Sequence, residues 1–262
     1  MRTLVITLLV LTGLVVAVDF GAAAAAEYEV SELLRSELDL AADPSVRING
    51  FPFLTQAVSG SYSEIDMQAS GVTVGPLTDV GVEATLHDVT APLTEVTSGL
   101  LGSAQAAAVD GRVRIRDADL GRAIGIEDLR LQPTSDEELD EALGSAAVSE
   151  SDDDRRAAVR MVATIDITGQ RVEVIVIGLL ELADGRIRVT PTDVRFATDA
   201  IGEESLPALI RKPLLAAFTT EVDPGGLPFT VMPTAVYVET GSLLVEGTAQ
   251  DVSLGQAGVA VR

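Results

Sequence analysis

Three arginines that alternate along one segment, Arg112, Arg114 and Arg116, are the side chains of this chain that most suit an anion. At a two-residue spacing they share one face of a β-strand, where guanidinium groups either meet a phosphate or face water. We expect the solvated face. The chain as a whole is acidic, with a formal net charge of −22, so nucleic acid is not an expected partner.

Catalytic chemistry has little support in the sequence. His87 is the only histidine, it falls on the polar side of an alternating segment, and there is no cysteine. Serine-elbow, P-loop, zinc-protease and dinucleotide-binding motifs are missing. Paired carboxylates among forty acidic residues leave a hydrolase open as an alternative, because spacing cannot reveal them. We expect no enzyme activity, no catalytic residue, no metal and no cofactor.

An acidic segment, residues 134–154, carries nine acidic residues and no basic one. It lacks the spacing of a calcium-binding loop. We therefore interpret it as an exposed insertion, with a short helix over residues 136–143 and a solvated loop over residues 149–154.

Apolar chemistry has more support. In residues 171–182, Val174 and Val176 lie on one side of a predicted strand, and Ile175 and Ile177 on the other. A strand that is apolar on both faces is either covered twice or covered once and lines a ligand cavity. An aliphatic lining suits acyl chains, since each buried methylene contributes about 0.8 kcal/mol. Both interpretations stay open.

The phenylalanine turn, which we define as residues 50–54, concentrates aromatic side chains in a chain with only six phenylalanines. Its residues are Gly50, Phe51, Pro52, Phe53 and Leu54. The proline restricts its own backbone and that of its predecessor, so the two rings have defined positions.

Most of the chain alternates apolar and polar residues with a period of two, which is typical of half-buried antiparallel strands. The predicted strands are residues 80–87, 109–116, 159–167, 172–182, 187–196, 234–239 and 243–254. Turn residues 169–170 and 184–185 predict hairpins, and Pro191 predicts a bulge.

Two helices accompany these strands. Residues 27–40 form an amphipathic pattern, and residues 204–218 form a second one that carries Leu209 and Leu214 and is kinked at Pro213. Crossover helices between the strands are missing, which excludes a doubly wound fold. The sequence predicts an α+β fold, in which a long curved antiparallel sheet is covered by helices.

The first residues resemble an export signal. Arg2 precedes an apolar run over residues 4–18, followed by Asp19 and five alanines at 22–26, the order of a cleavable signal. The alternative is an uncleaved anchor over residues 4–26, in which Asp19 is costly to bury. We favour cleavage, and both interpretations place the rest of the protein outside the cytoplasm.

Residues 44–56 and 60–62 together resemble the LmeA-like phospholipid-binding family of actinobacteria, and so does the C-terminal part, from Leu227, Pro228 and Phe229 to residues 245–252. The middle of the chain matches only in its hydrophobic pattern. This resemblance implies a tubular lipid-binding (TULIP-like) architecture, in which a curved antiparallel sheet wraps a long helix. It also implies phospholipid binding in the cell envelope and support for the mannan of lipomannan. In the groove that this resemblance implies, the phenylalanine turn either closes one end and touches lipid or plugs the core where the first helix meets the sheet. We favour the plug.

We therefore expect residues 1–26 to be a signal peptide or anchor and residues 27–262 to form a single lipid-binding domain. The protein would hold phospholipid acyl chains in the periplasmic space, at the outer surface of the cytoplasmic membrane. A scaffold without lipid is the alternative. The candidate lipid contacts are Phe51, Phe53, Leu54, Val174, Ile175, Val176, Ile177, Leu209, Leu214 and Phe229.

Overall fold

A computed structural model of the chain describes residues 2–37, 40, 42–98, 103–126, 128–135, 137–138, 154–167, 170–183, 186–198, 202–205, 208–222 and 232–254. Its helices are α1 (Arg2–Glu37), α2 (Phe53–Ser59), α3 (Leu93–Ser98), α4 (Asp117–Ile124) and α5 (Ala208–Phe218). Its strands are β1 (Ser45–Asn49), β2 (Ser61–Val74), β3 (Leu77–Thr90), β4 (Gln105–Arg116), β5 (Arg130–Pro133), β6 (Arg156–Ile167), β7 (Gln170–Ala183), β8 (Arg186–Thr198), β9 (Gly202–Ser205), β10 (Thr220–Val222), β11 (Met232–Glu239) and β12 (Ser242–Ser253).

The strands form two six-stranded sheets. The first has the order β1-β2-β3-β4-β12-β11, and the second the order β10-β8-β7-β6-β5, with β9 also paired to β8. The registered pairs, β1–β2, β11–β12 and those of the second sheet, are antiparallel. The α+β class expected from the sequence is confirmed: antiparallel sheets accompany one long helix.

The chain divides into two compact units. The first consists of residues 1–72, 82–111 and 249–262, and the second of residues 73–81 and 112–248. Strands β2, β3, β4 and β12 contribute residues to both units, so neither unit is one continuous segment. A single lipid-binding domain over residues 27–262 stays a prediction.

The period-two pattern locates the seven predicted strands, which correspond to β3, β4, β6, β7, β8, β11 and β12. In β4, Val109, Val113 and Ile115 are buried while Asp110 and Arg112 are exposed, as expected of a strand with one face on the core. The bulge predicted at Pro191 is also confirmed, because the register between β7 and β8 shifts between Ile177 and Gly178. Of the turn residues predicted at 169–170 and 184–185, Gln170 begins β7, while residues 169, 184 and 185 lie outside the described residues, as does most of the acidic segment.

The second predicted helix begins later than expected. The prediction started it at Glu204, but Glu204 and Ser205 belong to strand β9, and α5 begins at Ala208. Pairing with β8 holds this segment extended, with Glu204 opposite Phe196 and Ser205 opposite Arg195. Pro213 lies inside α5, which continues through it.

The core of the second unit surrounds β7. Val174, Val176 and Ile177 are inaccessible to solvent, and Ile175 is nearly so. Strand β11 of the first sheet lies against β5, β6 and β7. Both faces of the middle of β7 are therefore covered, as the two-sided apolar pattern requires.

Candidate functional site

Helix α1 changes character at Asp19. Before that residue the helix is almost entirely exposed, although its side chains are leucine, valine and isoleucine. After it, a stripe at helical spacing is buried or half-buried, with Asp19, Ala23, Val30 and Leu34 on one side. Helix α1 is long and apolar enough to cross a membrane. A signal sequence can have the same length and composition.

The packed part of α1 is held to the first unit by polar contacts. The Glu27 carboxylate accepts the Ile48 N–H at 2.9 Å, and the Ser31 hydroxyl donates to the Pro44 carbonyl at 2.5 Å. Ser31 is buried, and α1 packs along β1. The sequence predicted a separate helix over residues 27–40, but the structure joins it to the apolar run as one helix.

Asp19 caps the phenylalanine turn from a distance. Helix α2 has Pro52 at its N-cap position and no capping side chain of its own. The Asp19 carboxylate instead accepts the backbone N–H groups of Phe53 and Leu54, both at 2.8 Å. A carboxylate at a helix N-terminus satisfies N–H groups that have no partner within the helix. Asp19 is 3% exposed, so its charge is enclosed by protein.

The two phenylalanines of the turn have opposite environments. Phe53 is 5% exposed and lies next to Tyr62, with ring centroids 6.4 Å apart. Phe51 is 62% exposed and stacks on the equally exposed Phe20 of α1, with centroids 6.0 Å apart. The peptide bond between Phe51 and Pro52 is cis. The turn thus holds the core through one ring and presents the other at the surface.

Tyr62 is expected to reduce stability through its hydroxyl. The residue is 2% exposed, and its oxygen has no hydrogen-bond partner among the described residues. Because an unpaired buried hydroxyl is costly, Tyr62→Phe should raise the free energy of unfolding by about 1 kcal/mol. Chemical denaturation followed by circular dichroism measures this change. Tyr28→Phe is the matched control, since Tyr28 is 66% exposed.

The same hydroxyl predicts a pH dependence. Burial raises the pKa of the Tyr62 phenol, so the folded protein favours the neutral form. The free energy of unfolding does not depend on this titration below the unfolded pKa of about 10. It falls as the pH rises from there through the higher folded pKa, because only the unfolded chain loses the proton easily. Tyr62→Phe should therefore lose less stability in alkali than the wild type. An identical alkaline decline in both proteins would contradict this assignment.

One face of strands β1–β3, here called the apolar sheet face, is incompletely covered. Val46 and Ile48 lie directly opposite Met67 and Ile65, so the four side chains share a face. The polar residues of β2 and β3 contact each other on the other face, with the Thr85 hydroxyl donating to Asp66 at 2.8 Å. Alternation then places Val82, Ala84 and Leu86 on the apolar sheet face. Five of its members are half-buried: Ile48, Ile65, Met67, Val82 and Ala84.

The opposite face of these strands is polar, and its charges contact one another. The Asn49 amide donates to Glu64 at 2.8 Å and to Asp66 at 2.7 Å. His87 lies between two carboxylates, 3.0 Å from Asp110 and 3.8 Å from Glu64. The position predicted for His87, on the polar side of its strand, is confirmed. These pairings are typical of a solvated sheet surface.

The three alternating arginines of β4 form ion pairs. Arg112 donates to Glu246 at 2.9 Å and 2.5 Å, and Arg114 donates to Glu239 at 2.6 Å. Arg116 pairs with Asp79. Their positive charge is thereby balanced by neighbouring strands of the second unit, as expected for a solvated arginine face rather than an anion site.

Comparison with known proteins bears on what the apolar surfaces bind. A family model described as LmeA-like phospholipid-binding matches residues 17–248. The chain belongs to this family. No curated protein matches the chain, and no solved structure does. The matched residues of this LmeA-like protein include Asp19, the phenylalanine turn and every strand of the apolar sheet face.

The structure separates the predicted lipid contacts of this LmeA-like protein into groups. Phe51 and Leu54 are exposed at the surface of the first unit, while Phe53 is buried beneath them. Val174, Ile175, Val176 and Ile177 lie in the closed core of the second unit. Leu209 and Leu214 belong to α5, but their side chains lie outside the described part of the structure, as does Phe229. Lipid contact by any of these residues stays a prediction.

Two features of the LmeA-like protein were missed from the sequence. The half-buried residues of the apolar sheet face belong to strands whose period-two pattern was visible, so their shared orientation had a signal. No sequence signal predicted that these residues are incompletely covered, because coverage depends on where α1 packs. No signal predicted the capping role of Asp19 either, since 34 residues separate it from Phe53.

Proposed function

We propose that this LmeA-like protein is an exported cell-envelope protein that holds phospholipid acyl chains on the apolar sheet face, beside α1. Acyl chains partition from the membrane onto this face, and the headgroup stays near solvent. The wider role we propose is support of mannan synthesis on an envelope lipoglycan, or maintenance of the membrane, in an actinobacterium. A TULIP-like arrangement, with the sheet curved around the helix, belongs to the same proposal.

The half-buried state of the apolar sheet face is the observation that supports it. Ile65 and Met67 on β2, and Val82 and Ala84 on β3, are apolar side chains that remain partly accessible to solvent. A ligand that removes such apolar side chains from water lowers the free energy by about 25 cal/mol per Å² of buried apolar surface. Acyl chains supply that contact without specific polar groups, which suits a surface built from aliphatic residues.

The face also has a built-in specificity. Its residues are aliphatic or thioether side chains, and the carboxylates Glu64 and Asp66 project from the opposite side of the same strands. A phosphate would be repelled from that polar side and would have to stay at the edge. The proposal therefore predicts recognition of chains rather than of a particular headgroup.

Photocrosslinking tests the proposal directly. The full chain is placed in phosphatidylglycerol vesicles that contain a phospholipid with a photoreactive group near the acyl terminus, and the adducts are mapped by mass spectrometry. We expect adducts on residues 65, 67, 82 and 84. Met67→Glu should reduce them by about tenfold or more, because a charge beside an acyl chain is costly.

Gln68→Glu is the matched control. It introduces the same charge one residue further along β2, on the exposed polar side, and the adduct yield should stay as in the wild type. Equal losses in both variants would mean that charge alone repels the vesicle. Adducts that avoid residues 65, 67, 82 and 84 in the wild type would overturn the proposal.

A scaffold without bound lipid is the second candidate, and the closed core around β7 favours it. Val174, Val176 and Ile177 have no access to solvent, so protein already fills both sides of the most apolar strand. In that case the protein would assist envelope glycan synthesis through contacts with other proteins. Complete absence of acyl-chain adducts in folded protein would favour the scaffold.

A further inference from the structure

We propose that α1 is retained as a membrane anchor and that four exposed side chains, one on α1 and three on the adjacent phenylalanine turn and α2, rest in the interfacial layer of the same phospholipid bilayer. These side chains, here called the apolar patch, are Phe20, Phe51, Leu54 and Val58. The sequence favours cleavage among the alanines at 22–26. The proposal is instead that the helix is not cleaved. The inference does not depend on acyl chains binding to the apolar sheet face.

Asp19 gives the reason for retention. Cleavage within residues 22–26 would remove its carboxylate, which accepts the N–H groups of Phe53 and Leu54. Helix α2 carries no replacement cap, and the Phe53 N–H is buried with its residue. A signal peptide discarded after export has no reason to complete the fold of the mature protein. Here the segment to be discarded supplies an enclosed charge to the first unit.

The length of α1 also supports its retention as an anchor, because the charge of Asp19 is enclosed by protein. Residues 4–18 rise about 22 Å, too short for a hydrocarbon core of about 30 Å. Residues 4–26 rise about 34 Å, and Asp19 is the only charge among them. Because α2 covers that charge, lipid need not solvate it. The membrane boundary then falls between Asp19 and Glu27, beside the phenylalanine turn.

The apolar patch lies at this boundary. Val58 is 85% exposed, Phe51 62%, Phe20 61% and Leu54 40%. Residues 50–63 contain no charge, in a chain whose net charge is −22. A neutral surface avoids the repulsion between an acidic protein and the anionic lipids of a membrane. Aromatic side chains also favour the membrane–water interface, so phospholipid is the occupant that fits the patch.

The first test is the mass of the mature protein. The full-length gene is expressed in a host that exports it, and the N-terminus of the protein in both the membrane and the soluble fraction is determined by intact mass and peptide sequencing. We expect residues 2–26 to be present. A mature protein that begins within residues 22–27 would overturn the proposal.

The second test reports where the apolar patch lies. The chain has no cysteine, so Val58→Cys provides a single site for a polarity-sensitive fluorophore. In vesicles of phosphatidylcholine and phosphatidylglycerol, its emission should shift to the blue and be quenched by lipid-attached quenchers. Val58 is almost fully exposed, so this substitution should leave the fold intact, which circular dichroism checks.

Ser70→Cys is the control. Ser70 is an exposed residue of β2, the strand that follows α2, and lies about 30 Å along that strand from its first residue, Ser61. Its fluorophore should emit as in water. Water-like emission from both sites, or equal quenching at both, would contradict the docking of the patch. A blue shift that needs high protein concentration and no vesicle would assign the patch to a second copy, which also overturns the proposal.

A third variant tests the cap itself. Asp19→Leu keeps α1 apolar but removes the acceptor of the Phe53 and Leu54 N–H groups. In the reconstituted full chain, amide exchange of these two groups should accelerate by about tenfold or more, because they lose their hydrogen-bond acceptor. Asp43→Leu is the control, as Asp43 pairs with Arg35 at the exposed end of the same unit. Unchanged exchange at residues 53 and 54 would show that the cap is not needed and would remove the argument for retention.

Discussion

Phe53→Ala is expected to lower the free energy of unfolding by about 3–5 kcal/mol, the usual cost of truncating a buried phenylalanine. The ring is 5% exposed and packs against Tyr62, at the residue whose N–H binds Asp19. Its loss would leave a cavity that the stiff turn beside Pro52 cannot close. Urea denaturation of the full chain in detergent micelles, followed by far-ultraviolet circular dichroism, measures the effect.

Phe51→Ala is the matched control, on the other side of Pro52. Phe51 is 62% exposed and contacts Phe20, so its loss should cost at most about 1.5 kcal/mol, the value of an aromatic pair. In the proposed docking of the apolar patch, membrane contact should weaken instead. If Phe53→Ala left stability unchanged but abolished lipid crosslinking, the plug would be the wrong role for Phe53.

Asp119→Ala should reduce the free energy of unfolding by about 3 kcal/mol, since hydrogen bonds to a charged acceptor contribute about 1.5–3 kcal/mol each. Asp119 is 1% exposed. Its carboxylate accepts the backbone N–H groups of Thr78 and Asp79, at 3.0 Å and 3.2 Å, and the Arg122 guanidinium at 2.5 Å. It therefore ties the start of β3 to the first turn of α4.

Asp117→Ala provides the comparison within the same helical turn. Asp117 is half-buried, and one of its oxygens accepts the N–H of the next residue, Ala118. Its removal should cost about 1 kcal/mol, the typical value of an N-terminal helix acceptor. The midpoint of thermal unfolding ranks the two variants. Similar midpoints would show that the buried position of Asp119 adds nothing.

Local sequence patterns were sufficient to predict the positions of seven strands. Val109, Val113 and Ile115 alternate with polar residues, and this alternation is itself the physical requirement of a sheet with one covered face. The bulge near Pro191 was predictable for the same reason, because a proline cannot donate to a ladder and must interrupt it. Such signals are written within ten residues of the chain.

Contacts between distant residues could not be predicted. Arg112 finds Glu246 across 134 residues, and Asp19 reaches Leu54 across 35. In the sequence Asp19 counts as a cost to a membrane helix, because nothing local shows that α2 will enclose it. The opposite fates of Phe51 and Phe53 depend on the same packing. The phenylalanine turn was therefore predicted as a segment, but the apolar sheet face was not among the predicted lipid contacts, because its incomplete covering depends on where α1 packs.

The bond from the Ile48 N–H to Glu27 has a consequence for the behaviour of many copies. Strand β1 is an edge strand, paired on one side with β2, and such edges invite pairing with another molecule. Glu27 occupies a donor that points away from β2, and α1 runs along the strand. Proteins confined to a surface meet one another at high local concentration. In the proposed anchored state, the helix that crosses the membrane would also cover the edge strand through which neighbouring copies could pair.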